Sequence, residues 1–186
     1  MNNNTVELWD KTYAGRTHWR GWPYERALAE LPADFVPASV LDVGCGLGDG
    51  LLQCQERWPN AFLIGLDFSP VGLATAQKRL PAARFDCLDL NGALPTRVAA
   101  EIKSDLVLCC ETLEHVEDPV AVEAMLVFLA RRRVVVTVPN EGRVTSHHPN
   151  SFYRAWFEAR KYRTVLRPHP VNKDDFIIVA TLEVGP

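Results

Sequence analysis

The sequence has no strong charge of either sign. Its 20 Lys and Arg nearly balance 23 Asp and Glu, for a formal net charge of −3. The chain as a whole therefore lacks the electrostatic footprint of a nucleic-acid binder. No apolar run approaches the roughly 18 residues of a membrane span, so no membrane partner is expected. The opening MNNNTVELWDK has neither a basic n-region nor an apolar h-region, so a cytoplasmic location is expected rather than secretion. No C-x-x-C pair occurs. The cysteines are Cys45, Cys54, Cys87, Cys109 and Cys110, an odd count, and four of them lie inside apolar runs. Buried, reduced thiols are expected rather than disulfides or a thiolate metal site. Internal repeats and low-complexity linkers are missing too.

What is present fits one domain with a full core: 186 residues, 47% of them hydrophobic and 23% charged. Apolar strand-like runs alternate with helical stretches. Strands are expected at 39–44, 61–68, 83–90, 104–111 and 133–139, with a final pair at 162–169 and 175–184. Helices are expected at 5–14, 22–32, 48–59, 70–80, 119–132 and 151–160. The first five strands are nearly continuous apolar runs, which marks strands covered on both faces. The last two are close enough for an antiparallel hairpin. The fold class is α/β: a single doubly wound, Rossmann-like domain. Its seven-stranded sheet is mostly parallel, with an antiparallel C-terminal hairpin and helices on both faces. Such sheets bind ligands at the carboxyl ends of their strands. That confines the chemistry to residues 42–48, 67–69, 89–91, 109–115 and 139–145.

The first of these ends reads VLDVGCGLGDG, residues 40–50. A dinucleotide fingerprint, G-x-G-x-x-G, asks for glycines at 44, 46 and 49. Gly44 and Gly46 fit, but position 49 is Asp49 and Gly48 comes one place early. Pyrophosphate in a dinucleotide site rests on the helix N-terminus, where Asp49 competes with it. Asp42 adds an acid at the strand end. An anionic ligand is disfavoured, and one carrying an ammonium and a sulfonium is favoured. Asp49 also suits a helix cap, and Gly50 suits close packing.

This stretch resembles the first motif of the class I S-adenosylmethionine-dependent methyltransferases. LIGLDFSPVGLATAQKRL (63–80), ARFDCLDL (83–90) and SDLVLCCETLEHVEDP (104–119) resemble that family's next three segments, in order. The resemblance covers residues 5–140. It implies S-adenosylmethionine as cofactor and S-adenosylhomocysteine as product. Gly44, Cys45, Gly46 and Gly48 then approach the methionyl part, and Asp42 helps hold the ammonium, directly or through water. Asp67, 23 residues after Gly44, accepts the ribose hydroxyls. A dinucleotide site places its acid similarly. Phe68 packs on the adenine, Asp89 reaches the adenine amino group, and the Leu90 backbone meets a ring nitrogen. Asp89-Leu90-Asn91-Gly92 also makes a good turn. An N-terminal WDKxYA helix brings Trp9 and Tyr13 over the methionyl pocket, excluding water from a sulfonium. Trp19, Trp22 and Tyr24 follow in the same aromatic segment.

CCETLEHVEDP (109–119) holds an acidic–histidine cluster. If Glu111 starts a helical turn, Glu114 and His115 share its face. The cluster then has three readings. It shapes the cofactor site, with Glu111 among the cofactor's neighbours. Or His115 or Glu111 is a general base for an oxygen or nitrogen acceptor. Or the three bind a divalent metal with His147 or His148. The last resembles the E-x-x-E-H arrangement of small-RNA 2′-O-methyltransferases and some ubiquinone-pathway O-methyltransferases, although the region of His147 and His148 matches loosely.

The division expected is a helical cover at 1–35, a cofactor-binding core at 36–139 and a substrate-side loop with hairpin at 140–186. The 47 residues after Pro139 leave no room for a separate cap domain, so an open site, or one completed by a second subunit, is expected. Nine Lys and Arg fall between 131 and 167, a basic stretch suited to an anionic substrate. The leading expectation is methyl transfer to an oxygen or nitrogen of a small, anionic or neutral acceptor, by a monomer or homodimer. The alternatives are a metal-dependent RNA 2′-O-methyltransferase and a non-catalytic cofactor-binding partner subunit. A nicotinamide oxidoreductase is a weaker alternative, opposed by Asp49.

Overall fold

The computed structural model of the chain describes residues 4–92, 96–140, 148–170 and 175–185. Among the described residues there are seven α-helices: α1 (Val6–Tyr13), α2 (Trp22–Ala29), α3 (Asp49–Arg57), α4 (Pro70–Arg79), α5 (Thr96–Ile102), α6 (Pro119–Leu129) and α7 (Arg154–Glu158). The strands are β1 (Ser39–Val43), β2 (Phe62–Asp67), β3 (Arg84–Cys87), β4 (Ser104–Cys110), β5 (Ala130–Pro139), β6 (Arg163–Pro168) and β7 (Phe176–Glu183). They form one sheet in the order β3-β2-β1-β4-β5-β7-β6. β1 to β5 pair in parallel, and β7 runs antiparallel to both β5 and β6. The α/β architecture expected from the sequence is the one observed.

Successive side chains of a strand point to opposite faces, and both faces of this sheet are covered. Leu41 and Val43 of β1, with Val107 and Cys109 of β4, join Ile102, Leu126, Leu129 and Phe157 in one core. Val40, Leu106, Leu108 and Cys110 face the other way, onto Ala27, Leu28, Leu51, Cys54 and Trp58. Each fully buried Leu or Val contributes about 1.5–3 kcal/mol through lost apolar exposure. The strand order reverses beside β1, whose neighbours are β2 and β4. That is where a ligand crevice is expected.

Several boundaries differ from the sequence expectation. The helix from 119 stops at Leu129, because Ala130 turns extended and Arg131, Arg132 and Arg133 enter β5. β3 ends at Cys87 rather than residue 90, and only Arg154–Glu158 is helical within 151–160. α5, not anticipated, buries Ala99 and Ile102. Four cysteines are buried, but Cys87 is exposed. Five of the nine basic residues in the 131–167 stretch are paired with acids. Arg133, Arg154 and Arg160 face Glu183, Glu158 and Glu123, while Arg163 and Arg167 clasp Glu30, the C-cap of α2. Among the described residues, no helix is long and apolar enough to cross a membrane.

Candidate active site

The loop after β1 is built on left-handed backbone. Gly44, Gly46 and Gly48 have φ of +78°, +52° and +80°, a region that costs other residues roughly 1–2 kcal/mol. Space is short as well. A Cβ on Gly44 would lie 2.2 Å from Thr112 Oγ1, and one on Gly46 would lie 2.9 Å from the Tyr13 hydroxyl. The Gly44 and Cys45 amides donate to the Leu66 carbonyl at 2.8 and 2.9 Å, tying the loop to β2. The Gly46 amide donates to Asp67 Oδ2 at 2.8 Å, and the Ser69 amide to Asp67 Oδ1 at 2.9 Å. Burial raises the Asp67 carboxyl above its ordinary range, and these backbone donors pull it back.

α1 lies across this loop. Its Asp10 accepts from the Ser69 hydroxyl and, at 3.3 Å, from the Val71 amide, so it docks on the start of α4. Tyr13 is buried against the glycine loop. Trp9 stacks at 5.4 Å from Tyr13 and edge-on at 5.3 Å from His115. The cover expected from WDKTYA is thus held by a cap shared between two helices.

Beneath the cover lies an open cleft that takes in about 860 Å³ of space. Its walls come from the expected strand ends: Gly44 to Leu47, Asp67 and Phe68, Leu88 to Asn91, and Cys110 to Thr112. Asp49, Asp67, Asp89 and Glu111 make it acidic, which fits a sulfonium and an ammonium better than a pyrophosphate.

Comparison with known proteins agrees with this geometry. The family model for a methyltransferase domain, Methyltransf_25, matches residues 40–131. Residues 40–131 of the chain thus carry a methyltransferase domain. Trans-aconitate 2-methyltransferase of Escherichia coli is 31% identical over 119 residues, 64% of this chain and 45% of the relative. The chain thus spans less than half the length of that relative. Magnesium protoporphyrin IX methyltransferase from Synechocystis, solved with S-adenosylhomocysteine, superposes with a TM-score of 0.67 at 18% identity, covering 97% of this chain and 95% of that one. A Haloferax volcanii methyltransferase solved with the Trm112 activator gives a TM-score of 0.71 at 18% identity, covering 100% and 98%. These two likenesses concern the fold alone.

Around this cleft the anticipated residues divide. Gly44, Cys45, Gly46, Asp67, Phe68, Asp89, Leu90, Glu111, Trp9, Tyr13 and His115 all line the cleft. Gly48 is the N-cap of α3 and packs on Ala76. Asp89 lies beyond β3, in an Asx turn where its Oδ1 accepts from the Asn91 amide at 2.9 Å. Asp42 does not line the cleft. It pairs with Gly65 on one side and Leu108 on the other, in mid-sheet, and is fully buried. Burial pushes its carboxyl up to about 8, while the Tyr24 hydroxyl pulls the other way. Neither carboxyl oxygen completes a well-aligned hydrogen bond among the described residues.

Asp49 is not the cap of its own helix, and its charge is not free. Its Oδ1 meets Arg79 at 2.8 Å, and its Oδ2 accepts the Trp19 amide at 2.8 Å. The repulsion it offers a pyrophosphate is therefore weaker than the sequence suggests. Gly50 does serve close packing, since a Cβ there would lie 2.1 Å from Tyr24 Cε1.

A second cleft of about 1020 Å³ adjoins the first, sharing Trp9, Trp19, Arg20, Glu111 and His115 with it. Glu111 does not begin a helical turn. Its φ is +52°, and its amide donates to the Thr137 carbonyl at 2.9 Å, across to β5. A 3₁₀ turn, Leu113–His115, follows. The cluster is therefore Glu114, His115 and His148, whose ligand atoms lie within 4.8 Å of one another. Glu111 stands apart from it on the cleft wall, and His147 lies outside the described residues. Arg20, His169 and Asp175 also line the second cleft. Sequence reasoning passed over them, because no motif marks residues brought in by the cover and the hairpin.

Proposed function

We propose that this methyltransferase transfers a methyl group to an oxygen or nitrogen of a small acceptor held in the second cleft. The observation that carries this reading is the wall shared by the two clefts, where Trp9, Glu111 and His115 face both. Bound S-adenosylmethionine supplies an electrophilic methyl on a sulfonium. Asp67 takes the ribose hydroxyls, while Phe68, Asp89 and Leu90 surround the adenine. Gly44 to Gly46 admit the methionyl part, and Trp9 and Tyr13 keep water from the sulfonium. Asp42 acts on the ammonium through the loop or a bridging water rather than by contact. His115, or Glu111 opposite it, takes the acceptor's proton, and positioning supplies the rest of the acceleration.

The three-part division at residues 35 and 139 is part of this proposal, as are a cytoplasmic location and a monomer or homodimer. The E. coli relative is named for trans-aconitate, which makes small carboxylates the first acceptors to try. The test is methyl transfer from labelled S-adenosylmethionine to trans-aconitate and a panel of small hydroxyl and amine compounds. Transfer that His115→Ala abolishes supports the proposal. Transfer only to RNA contradicts it.

The Glu114, His115 and His148 cluster favours a second reading, a divalent-metal-dependent RNA 2′-O-methyltransferase. One carboxylate and two imidazoles suit a transition-metal dication. Glu114, His115 and His148 would hold such a metal, and its Lewis acidity would supply activation of an acceptor hydroxyl. Activity on RNA lost to EDTA and restored by Mn²⁺ favours this reading. EDTA-indifferent activity removes it.

A further inference from the structure

The first cleft is acidic, yet S-adenosylmethionine also carries a carboxylate beside its ammonium. Asp49, Asp67, Asp89 and Glu111 line the cleft against one cation. Arg20 is the one Lys or Arg among the described residues lining either cleft. The other natural seat for an anion is the first turn of α3, and Asp49 occupies it.

Arg20 belongs to a segment without regular structure, but it is bracketed by two tethers. The Trp19 amide donates to Asp49 Oδ2 at 2.8 Å. The Gly21 carbonyl accepts from Gln53 Nε2 at 2.8 Å. Asp49 and Gln53 are one turn apart on α3, so residues 19–21 are clipped along that helix. Arg79 takes up the Asp49 charge, which leaves Asp49 holding the segment without capturing Arg20. The Arg20 guanidinium lies 5.1 Å from the Trp19 ring centroid and makes no salt bridge among the described residues. A cation placed by its neighbours, resting on an aromatic ring and paired with no acid among the described residues, is organised for an anionic ligand.

We propose that Arg20 grips the methionyl carboxylate of the cofactor, with Asp49 and Gln53 holding it in place. This rests on the assignment of the first cleft to S-adenosylmethionine. Arg20 is then the complement of the acids: they receive the ammonium and sulfonium, and it receives the carboxylate in a bidentate fork.

Calorimetric titration of the intact chain with S-adenosylhomocysteine and with 5′-methylthioadenosine, which lacks the amino-acid part, tests this. Binding of S-adenosylhomocysteine by the unaltered chain tests the cleft assignment by itself. Arg20→Gln is expected to weaken S-adenosylhomocysteine roughly 10- to 100-fold, the loss of a charged hydrogen-bonded pair. It is expected to leave 5′-methylthioadenosine within about twofold, as no contact with that ligand is lost. Arg20→Lys is expected to recover part of the loss, since it keeps the charge but not the fork. Equal loss on both ligands would make Arg20 a structural residue and overturn the proposal. Unchanged affinity for S-adenosylhomocysteine would also overturn it and leave Arg20 to an acceptor's carboxylate.

Discussion

The Gly46 amide donates to Asp67 Oδ2 at 2.8 Å, joining the turn after β1 to the acid that ends β2. The loop that admits the methionyl part and the acid assigned to the ribose are thereby one unit. Changing either should disturb both ends of the cofactor.

Asp67→Ala is therefore expected to act on stability and binding together. It leaves the Gly46 and Ser69 amides without their acceptor, at about 1–3 kcal/mol for each buried donor. S-adenosylhomocysteine affinity should fall by more than about tenfold, because the ribose contacts are lost too. Urea unfolding and calorimetry on the same preparation measure the two effects.

Gly44→Ala meets two obstacles, a φ of +78° and a Thr112 Oγ1 at 2.2 Å. The strain and the overpacking together are expected to cost about 2–5 kcal/mol. Adding Thr112→Gly should restore the packing part and not the backbone part. Recovery of full stability in the double variant would show that the backbone is unstrained there.

The sheet was legible in the sequence because residues covered on both faces must be apolar in succession, as in Val134 to Val136 and Leu106 to Cys110. Thr96 to Ile102 has too short and too polar a pattern to declare itself, although tertiary contact buries Ala99 and Ile102. The glycine loop was legible since Gly44, Gly46 and Gly48 each meet a backbone demand. Glu111 was misplaced because nothing in CCETLEH announces a left-handed glutamate. Its conformation is imposed by the bond from its amide to β5. The depth of Asp42 was not legible for a related reason. Its position in the motif was plain, but its depth depends on β2 and β4 flanking it.

Asp42 gives a dependence of stability on pH whose sign follows from its burial. Its carboxyl stands near pH 8 in the folded chain against 3.8 ordinarily. The fold therefore binds a proton that the unfolded chain releases, and stability falls as pH rises from about 4 to about 8. Asp42→Asn removes the ionisation. Its melting temperature without cofactor should exceed that of the parent by an amount that grows across this window and then levels. A difference independent of pH would contradict the assignment.

His115 sits between the clefts, with Trp9 at 5.3 Å and His148 at 4.9 Å between ring centroids. If it takes the acceptor's proton, His115→Ala should lower kcat about 10²- to 10⁴-fold. Affinity for S-adenosylhomocysteine should stay within about threefold, since no charged contact to the cofactor is removed. Steady-state kinetics beside calorimetry separates this from a packing role, in which both quantities fall together.

The most direct test of the whole account is calorimetric titration of the unaltered chain with S-adenosylhomocysteine and, separately, with NAD. Saturable binding of S-adenosylhomocysteine at one site per chain, with no heat from NAD, is the predicted result. No response to S-adenosylhomocysteine, or saturable binding of NAD, would contradict it.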